Sequence, residues 1–189
     1  MNVRTLIGLT LATVILISLY NDWMNFLIIG INLAVFYDLC WMKFKSGLNY
    51  SIILSVGGFM GIFNYYLYLI YLKDPSSVII IILIAQVSDV YQYIGGRCFG
   101  LTYIGWISEK KTFEGYIGGL ILTIITFRIF IHYSNIIQIY LLGVIGGLIS
   151  SYFKRKVCIK DYSNLLGPHG GWIDRIDSII LPLIFTRIY

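Results

Sequence analysis

The chain has 189 residues, of which 58% are hydrophobic and 12% charged, with a formal net charge of +5 and a mean hydropathy of +0.82. Soluble domains carry about 25% charged residues, so this composition excludes an ordinary soluble globular protein and predicts an integral membrane protein. The three cysteines, Cys40, Cys98 and Cys158, show no CxxC spacing. We interpret them as small apolar residues rather than as a disulfide framework or a zinc site.

Apolar stretches long enough to cross a bilayer recur along the whole chain. A membrane-spanning helix needs about 20 apolar residues for the roughly 30 Å hydrocarbon layer. The sequence therefore predicts an all-α integral membrane protein, a polytopic bundle of about seven transmembrane helices that forms one domain over residues 1–189. Short polar turns at 21–22 and 73–75 predict two tight helical hairpins. The predicted spans are 5–19, 23–41, 51–72, 78–96, 115–133, 136–153 and 171–189.

The first and the last predicted spans differ from the others. Residues 5–19 follow a single Arg4 and lack a small-residue cleavage site, so we expect a retained helix rather than a signal peptide. The last span carries Asp174, Arg175 and Asp177 in its first two turns. A half-buried helix is the alternative for this segment.

Basic residues are unevenly distributed between the two faces that seven spans would create. One face receives 11 of the 14 lysines and arginines, and the positive-inside rule makes it the cytoplasmic face. The chain is therefore predicted to be a multi-pass membrane protein with its polar loops in the cytoplasm. These basic residues are Arg4, Lys43, Lys45, Arg97, Lys110, Lys111, Lys154, Arg155, Lys156, Lys160 and Arg175.

Two long loops on that face, residues 96–115 and 151–177, carry most of the charge. They hold eight of the basic residues, and mixed charge of this kind at a membrane surface suits a phosphate-bearing substrate with its metal ion. We therefore expect the functional site to be built from these two cytoplasmic loops. Their acidic residues are Glu109, Glu114, Asp161, Asp174 and Asp177.

Asp174 and Asp177 are three residues apart, which places both carboxylates on one face of a helix. Two anions this close repel each other, so a divalent cation or a basic neighbour is expected beside them. Gly170 and Gly171 precede the helix and let backbone N–H groups approach a ligand, while the helix N-terminus adds a positive dipole end. The alternative is a pair of structural salt bridges, for example to Arg175 or Lys160.

Asp89 lies inside an otherwise apolar predicted span. An acidic side chain near the centre of a membrane helix costs about 2.5 to 3.5 kcal/mol on insertion scales, so such residues usually face the interior of the bundle and serve a function. The alternative is a helix-packing hydrogen bond to Gln86 or to a tyrosine of another span.

The segment 151–177 resembles the signature of the phosphatidate cytidylyltransferases, the CDP-diacylglycerol synthases. That signature combines a serine, a Lys-Arg pair, a Lys-Asp pair, His-Gly-Gly and Asp-Arg-x-Asp at fixed spacing. The matching residues are Ser151, Lys154-Arg155, Lys160-Asp161, His169-Gly170-Gly171 and Asp174-Arg175-Ile176-Asp177.

Two upstream segments, 89–100 and 108–115, also resemble motifs of this family, so the similar core covers about residues 89–177. Three positions depart from the family pattern. Gln92 replaces the usual alanine, Glu109 replaces proline, and Leu101 stands where a lysine often follows Phe-Gly. The change at Leu101 removes a cation from a phosphate-binding face.

The resemblance implies CTP-dependent transfer of a cytidylyl group to phosphatidate in phospholipid biosynthesis, with Mg²⁺ and with release of pyrophosphate. It implies catalytic roles for Asp161, Asp174, Asp177, Lys160 and His169, and Asp89 joins the three aspartates as a candidate metal ligand. The partners expected are CTP, phosphatidate and the lipid bilayer, with no nucleic acid, and a homodimer is expected by analogy. The residues implied in substrate binding are Lys111, Lys154, Arg155, Arg175, Ser108, Thr112, Gly170 and Gly171.

Three alternative functions remain open from the sequence. Two are related CTP-dependent membrane enzymes, a CDP-archaeol synthase and a polyprenol kinase. The third is a non-catalytic lipid-binding membrane protein that retains the motif.

Overall fold

The computed structural model describes residues 13, 23–47, 49–104, 111–167 and 170–186. Within these residues the chain forms helices without β-strands, and the one β-bridge joins Tyr103 to Thr112. The helices are α1 (Met24–Ser46), α2 (Tyr50–Lys73), α3 (Pro75–Phe99), α4 (Phe113–Phe127), α5 (Tyr133–Lys156) and α6 (Ile173–Phe185). The all-α prediction is confirmed for this part of the chain.

Four of these helices, α1, α2, α3 and α5, are long and apolar enough to cross a membrane. They correspond to the second, third, fourth and sixth predicted spans. Helix α4 is shorter than the predicted fifth span: it ends at Phe127, and a turn separates it from α5. The predicted first span lies outside the described residues, apart from Thr13, so the count of seven spans is not confirmed.

Helix α6 has only 13 residues, fewer than a full membrane crossing requires. Its apolar side chains follow helical spacing, and Ile173, Ile176, Ile180 and Leu183 are buried, whereas Arg175 is exposed. The alternative of a half-buried helix therefore describes this segment better than a seventh transmembrane span.

The turn between α2 and α3 shows why the helices end where the sequence predicts. Asp74 caps α3 by accepting hydrogen bonds from the Ser76 N–H at 3.0 Å and from the hydroxyls of Ser76 and Ser77 at 2.6 Å. Pro75 occupies the first helical position, where a missing N–H costs nothing. The hydrogen bonds from Ser76, and then from Ser77, lower the pKa of Asp74.

The chain divides into two compact units, residues 1–69 with 156–176 and residues 70–155 with 177–189. In the first unit, the Asn64 amide donates to Asn32 Oδ1 at 2.8 Å and so joins α2 to α1. Apolar side chains of both helices are buried, among them Leu39, Met42 and Phe63.

In the second unit, glycines bring helices into close contact. A Cβ at Gly95 of α3 would lie 3.4 Å from the Gly115 carbonyl oxygen of α4, so these two backbones pack closely. On α5, a Cβ at Gly143 would lie 3.1 Å from the Ser178 carbonyl oxygen of α6, and one at Gly146 would meet the Asp177 carbonyl even more closely. Only residues without a side chain allow α5 and α6 this separation.

Candidate active site

In the first unit, the described residues between α5 and α6 fold back on themselves and form what we call the signature turn, residues 160–167 and 170–173. The Leu166 N–H donates to the Gly170 carbonyl at 2.9 Å, and the Gly167 N–H donates to the Asn164 carbonyl at 3.0 Å. Gly167 and Gly170 have positive φ angles of 55° and 79°, which glycine adopts without steric cost. The turn thus brings its two ends together.

Asp174, in the first turn of α6, is held by backbone donors of the signature turn. Its Oδ2 accepts hydrogen bonds from the N–H groups of Tyr162 and Gly171, both at 2.9 Å. A carboxylate at a helix N-terminus also interacts favourably with the helix dipole. The position of this predicted site residue is therefore fixed by the turn that precedes it.

The two glycines of the signature turn make room for carboxylates. A Cβ at Gly170 would lie 2.9 Å from Asp174 Oδ2 and 3.3 Å from Asp161 Cγ, while one at Gly171 would lie 2.6 Å from Asp38 Oδ2. The N–H groups of both glycines donate within the protein, from Gly170 to the Gly167 carbonyl and from Gly171 to Asp174. In the structure, these two glycines leave room for the neighbouring carboxylates. Their expected contact with a ligand stays a prediction.

Asp161 and Asp174 are brought together against Gly170, so two of the predicted metal ligands share one place. Mg²⁺ is typically bound through one or two carboxylates, with waters and substrate phosphates completing an octahedron. A pair of carboxylates fits this donor requirement. No cluster of three or more His, Cys, Asp or Glu residues with metal-binding geometry occurs among the residues described.

Asp38 is a residue of this region that the sequence analysis missed. It lies in α1, is fully buried, and accepts hydrogen bonds from the Ser163 hydroxyl at 2.5 Å and from the Ile173 N–H at 2.8 Å. The signal that singled out Asp89, an acidic residue within an apolar span, applies equally to Asp38. It was overlooked because α1 precedes the motifs that resemble the family.

In the second unit, the loop between α3 and α4 is closed by backbone pairing on either side of residues 105–110. The Ile104 N–H donates to the Lys111 carbonyl at 2.9 Å, and the Phe113 N–H donates to the Thr102 carbonyl at 3.0 Å. Thr112 is buried, and its hydroxyl accepts from the Gly115 N–H at 3.2 Å, capping α4. These contacts are structural, and the role of Thr112 in substrate binding stays a prediction.

Glu114 stabilises the start of this loop. Its carboxylate accepts hydrogen bonds at 3.1 Å from the N–H groups of Thr102 and Leu101. The bond from its own backbone N–H, followed by those from Thr102 and Leu101, lowers the pKa of Glu114 to about 2. Leu101, the position that lacks the family's lysine, is 86% exposed.

Lys111 is placed beside α5. Its Nζ lies 5.8 Å from the centre of the Tyr116 ring and would lie 3.5 Å from a Cβ at Gly147. The ammonium group is therefore held between the N-terminal turn of α4 and the glycine-containing face of α5. A cation in this position suits the phosphate-binding role predicted for it.

The remaining predicted residues are placed as follows. Asp89 lies in α3 with an exposed side chain, and the expectation that it faces the interior of the bundle stays a prediction. Its neighbour Ser88 is on the buried face, and a step of one residue turns a helical side chain by about 100°. Lys154 and Arg155 lie in the last turn of α5, and Asp177 lies in α6. Lys160 and Arg175 are exposed in the first unit. Ser108 and His169 are outside the described residues.

Comparison with known proteins agrees with the motif pattern. A profile of the cytidylyltransferase family matches residues 59–189. The chain is 38% identical over 123 residues to a phosphatidate cytidylyltransferase of Aquifex aeolicus (strain VF5), covering 60% of this chain and 47% of the relative. It is 33% identical over 139 residues to the one of Haemophilus influenzae (strain ATCC 51907 / DSM 11121 / KW20 / Rd), covering 63% and 48%.

A third relative is matched along nearly its whole length. The phosphatidate cytidylyltransferase of Rickettsia typhi (strain ATCC VR-144 / Wilmington) is 31% identical over 208 aligned positions, which cover 96% of this chain and 89% of the relative. The chain spans about half the length of the first relatives described above. No solved structure matches it.

Proposed function

Because the chain belongs to the cytidylyltransferase family, we propose that it transfers a cytidylyl group from CTP to phosphatidate, giving CDP-diacylglycerol and pyrophosphate. The observation that carries this proposal is the pairing of Asp161 and Asp174 against Gly170 in the signature turn. The names of the three relatives supply the substrate class.

The reaction needs charge neutralisation more than it needs a general base. The phosphate monoester of phosphatidate has a second pKa near 6 and is largely dianionic at neutral pH, so it is already a nucleophile. Its oxygen forms a bond to the α-phosphorus of CTP while the bond from that phosphorus to the β-phosphate oxygen breaks. Positioning two anions and stabilising the departing pyrophosphate are the remaining tasks.

Asp161 and Asp174 would hold Mg²⁺, with Asp177 and Asp89 as further candidate ligands. When bound, the ion would neutralise charge on the phosphates of CTP. The carboxylate of Asp174 is oriented by the N–H groups of Tyr162 and Gly171, so this chain fixes one ligand before any ion arrives.

Cationic side chains would bind the phosphates of both substrates. Among them, Lys111 lies beside Tyr116 and Gly147. The others are Lys154, Arg155, Lys160 and Arg175, and His169 is proposed for phosphate contact or assistance to the leaving group. Ser108, Thr112, Gly170 and Gly171 complete the proposed substrate-binding set.

A membrane location suits these substrates, because phosphatidate lies at the headgroup level of a bilayer and CTP is water-soluble. The four long apolar helices support a multi-pass membrane protein. We further propose that the active site faces the cytoplasm, on the evidence of the basic residues, and that the protein assembles as a homodimer.

Labelled CTP offered with different lipids tests the substrate class. Phosphatidate should yield labelled CDP-diacylglycerol, whereas a polyprenol would yield a phosphorylated lipid if the protein were a polyprenol kinase. Preference for an archaeal ether-lipid phosphate would identify a CDP-archaeol synthase. Absence of turnover with every lipid would favour a non-catalytic lipid-binding protein.

Replacing Asp177 tests the metal site beyond the paired carboxylates. We expect Asp177→Asn to abolish CTP-dependent product formation while expression and membrane insertion persist. Product formation near the wild-type rate would remove Asp177 from the metal site.

A further inference from the structure

We propose that Asp38 is a positioning residue that holds the signature turn in the shape the reaction requires, an inference that rests on the proposed function. Asp38 belongs to α1, outside the segment 59–189 that matches the cytidylyltransferase family. Its two carboxylate oxygens bond to opposite ends of the signature turn. Oδ1 accepts from the Ser163 hydroxyl, and Oδ2 accepts from the Ile173 N–H.

Those two partners stand next to the proposed metal ligands. Ser163 follows Asp161 by two residues, and Ile173 immediately precedes Asp174. Asp38 therefore connects the two segments of the turn that carry Asp161 and Asp174. Loss of Asp38 would release both attachments and widen the distribution of distances between the two metal-binding carboxylates.

The burial of Asp38 requires that its carboxylate be paired with hydrogen-bond donors of the protein. Asp38 is 0% exposed and Ser163 is 1% exposed, and α1 around them contributes the buried apolar residues Val35, Leu39 and Met42. A carboxylate in such a place needs hydrogen-bond donors from the protein, and a buried donor left without an acceptor is destabilising. The signature turn supplies the donors, and Asp38 supplies acceptors in return.

The close approach of Gly171 supports the same conclusion. A Cβ at Gly171 would lie 2.6 Å from Asp38 Oδ2 and 3.0 Å from the Ser163 backbone nitrogen. The second glycine of the His-Gly-Gly motif is thus required by Asp38 itself, because any larger residue would push the carboxylate away from the turn. A residue outside the segment that matches the family profile therefore accounts for a glycine inside that segment.

Hydrogen–deuterium exchange on the full chain in detergent tests this role without depending on turnover. The variants are Asp38→Ala, Asp38→Asn and Ser163→Ala. Asp74→Asn is the matched control, because Asp74 also accepts hydrogen bonds from a backbone N–H and from hydroxyl groups, but its partners, Ser76 and Ser77, lie outside the signature turn. We expect Asp38→Ala to speed exchange in peptides covering 162–174 by about tenfold or more, with peptides of α3 and α4 unchanged. Asp38→Asn keeps one acceptor oxygen and should fall between wild type and Asp38→Ala.

A second measurement separates positioning from mere stability. Mg²⁺ should slow exchange of the same peptides in the wild type, and Asp38→Ala should raise the half-saturating Mg²⁺ concentration by about 10- to 100-fold, as is usual when a residue that orients metal ligands is lost. The CTP turnover number should fall with it, and Asp38→Asn should restore part of both. If Asp38→Ala does not fold, Asp38→Asn and Ser163→Ala provide the same comparison.

Wild-type exchange across 162–174 in the Asp38 variants would overturn the proposal. So would an increase spread evenly over all helices with an unchanged Mg²⁺ half-saturation, because that is the signature of general destabilisation. If the wild type turned over no CTP, the proposed function would fail, and the exchange of 162–174 would still decide the role of Asp38.

Discussion

Asp174 is held at Oδ2 by two backbone N–H groups, and this determines what its replacement will do. In Asp174→Asn the amide oxygen can still accept from Tyr162 and Gly171, so the turn and the start of α6 should persist. The negative charge is lost, and with it a proposed ligand of Mg²⁺. We expect CTP turnover to fall by more than about 100-fold, since even residues that only support metal ligands account for 10- to 100-fold.

The measurement is initial rate against Mg²⁺ concentration, together with the thermal unfolding midpoint. Asp74→Asn is the control and should keep wild-type turnover, because the Asp74 side chain caps α3 by accepting hydrogen bonds from Ser76 and Ser77. Near-wild-type turnover in Asp174→Asn would exclude Asp174 from the metal site.

Glu114 gives a pH dependence whose sign follows from its lowered pKa. The pKa is 4.5 for the ordinary group and about 2 in the folded chain, so ionised Glu114 stabilises the fold above about pH 4.5, and this contribution disappears as the pH falls towards 2. Glu114→Gln should therefore unfold at a lower temperature than wild type at pH 7. The difference between the two midpoints should shrink between pH 4.5 and 2.

The effect should be modest and sensitive to salt, because the carboxylate is solvent-facing. Thermal unfolding of both proteins across this pH range measures it. A difference that stayed constant from pH 7 to pH 2 would contradict the assignment of the lowered pKa to Glu114.

Among single residues, the sequence indicated the charged candidates but not the residues that support them. The family resemblance implied a common site for Asp161, Gly170 and Asp174, and the turn brings these three residues close together. Asp38 could not be paired with Ser163 from sequence, because 125 positions separate them and only the packed structure brings them into contact. The interior position expected for Asp89 stays a prediction, because hydropathy alone does not say which face of an apolar helix is covered.

At the scale of helices, the contact of α5 with α6 depends on glycine. A methyl group at Gly146 would overlap the Asp177 carbonyl of α6, so Gly146→Ala must displace one backbone. We expect a loss of about 1–3 kcal/mol in the free energy of unfolding, the usual range for overpacking. Turnover should fall as well, because the displaced segment carries Asp177.

Gly58→Ala in α2 is the matched control. A Cβ there meets no atom within 4 Å, and alanine favours the helix by up to about 1 kcal/mol over glycine. Chemical or thermal unfolding in the same detergent compares the two variants. Equal stability of Gly146→Ala and Gly58→Ala would contradict the close contact between α5 and α6.

Helix boundaries were predictable where a local signal marks them and uncertain elsewhere. The predicted turn at 73–75 has both a cap and a proline, and α3 begins at Pro75, three residues before the predicted start of the fourth span. Helix α4 ends at Phe127, six residues before the predicted boundary. The apolar residues Ile129, Phe130 and Ile131 lie in the turn that follows, so mean hydropathy does not mark the end of the helix. Helix α6 mixes charged and apolar residues, which is why its length, 13 residues, could not be settled from hydropathy.

At the scale of the whole molecule, composition correctly indicated a helical membrane protein, and four helices have the length and hydropathy for crossing. The family follows from motifs spread over 89–177 and from the profile match to residues 59–189. The first helices carry no such motif, yet Asp38 in α1 bonds to the signature turn. Helix α1 therefore contributes a residue beside the candidate site.

The most direct test of the central claim is release of pyrophosphate from CTP by the purified protein in detergent. The account predicts release only when both Mg²⁺ and phosphatidate are present, in equal amount with CDP-diacylglycerol, and its loss in Asp161→Asn but not in Asp74→Asn. Pyrophosphate release that did not depend on phosphatidate, or the absence of release from a folded wild-type protein supplied with both, would contradict it.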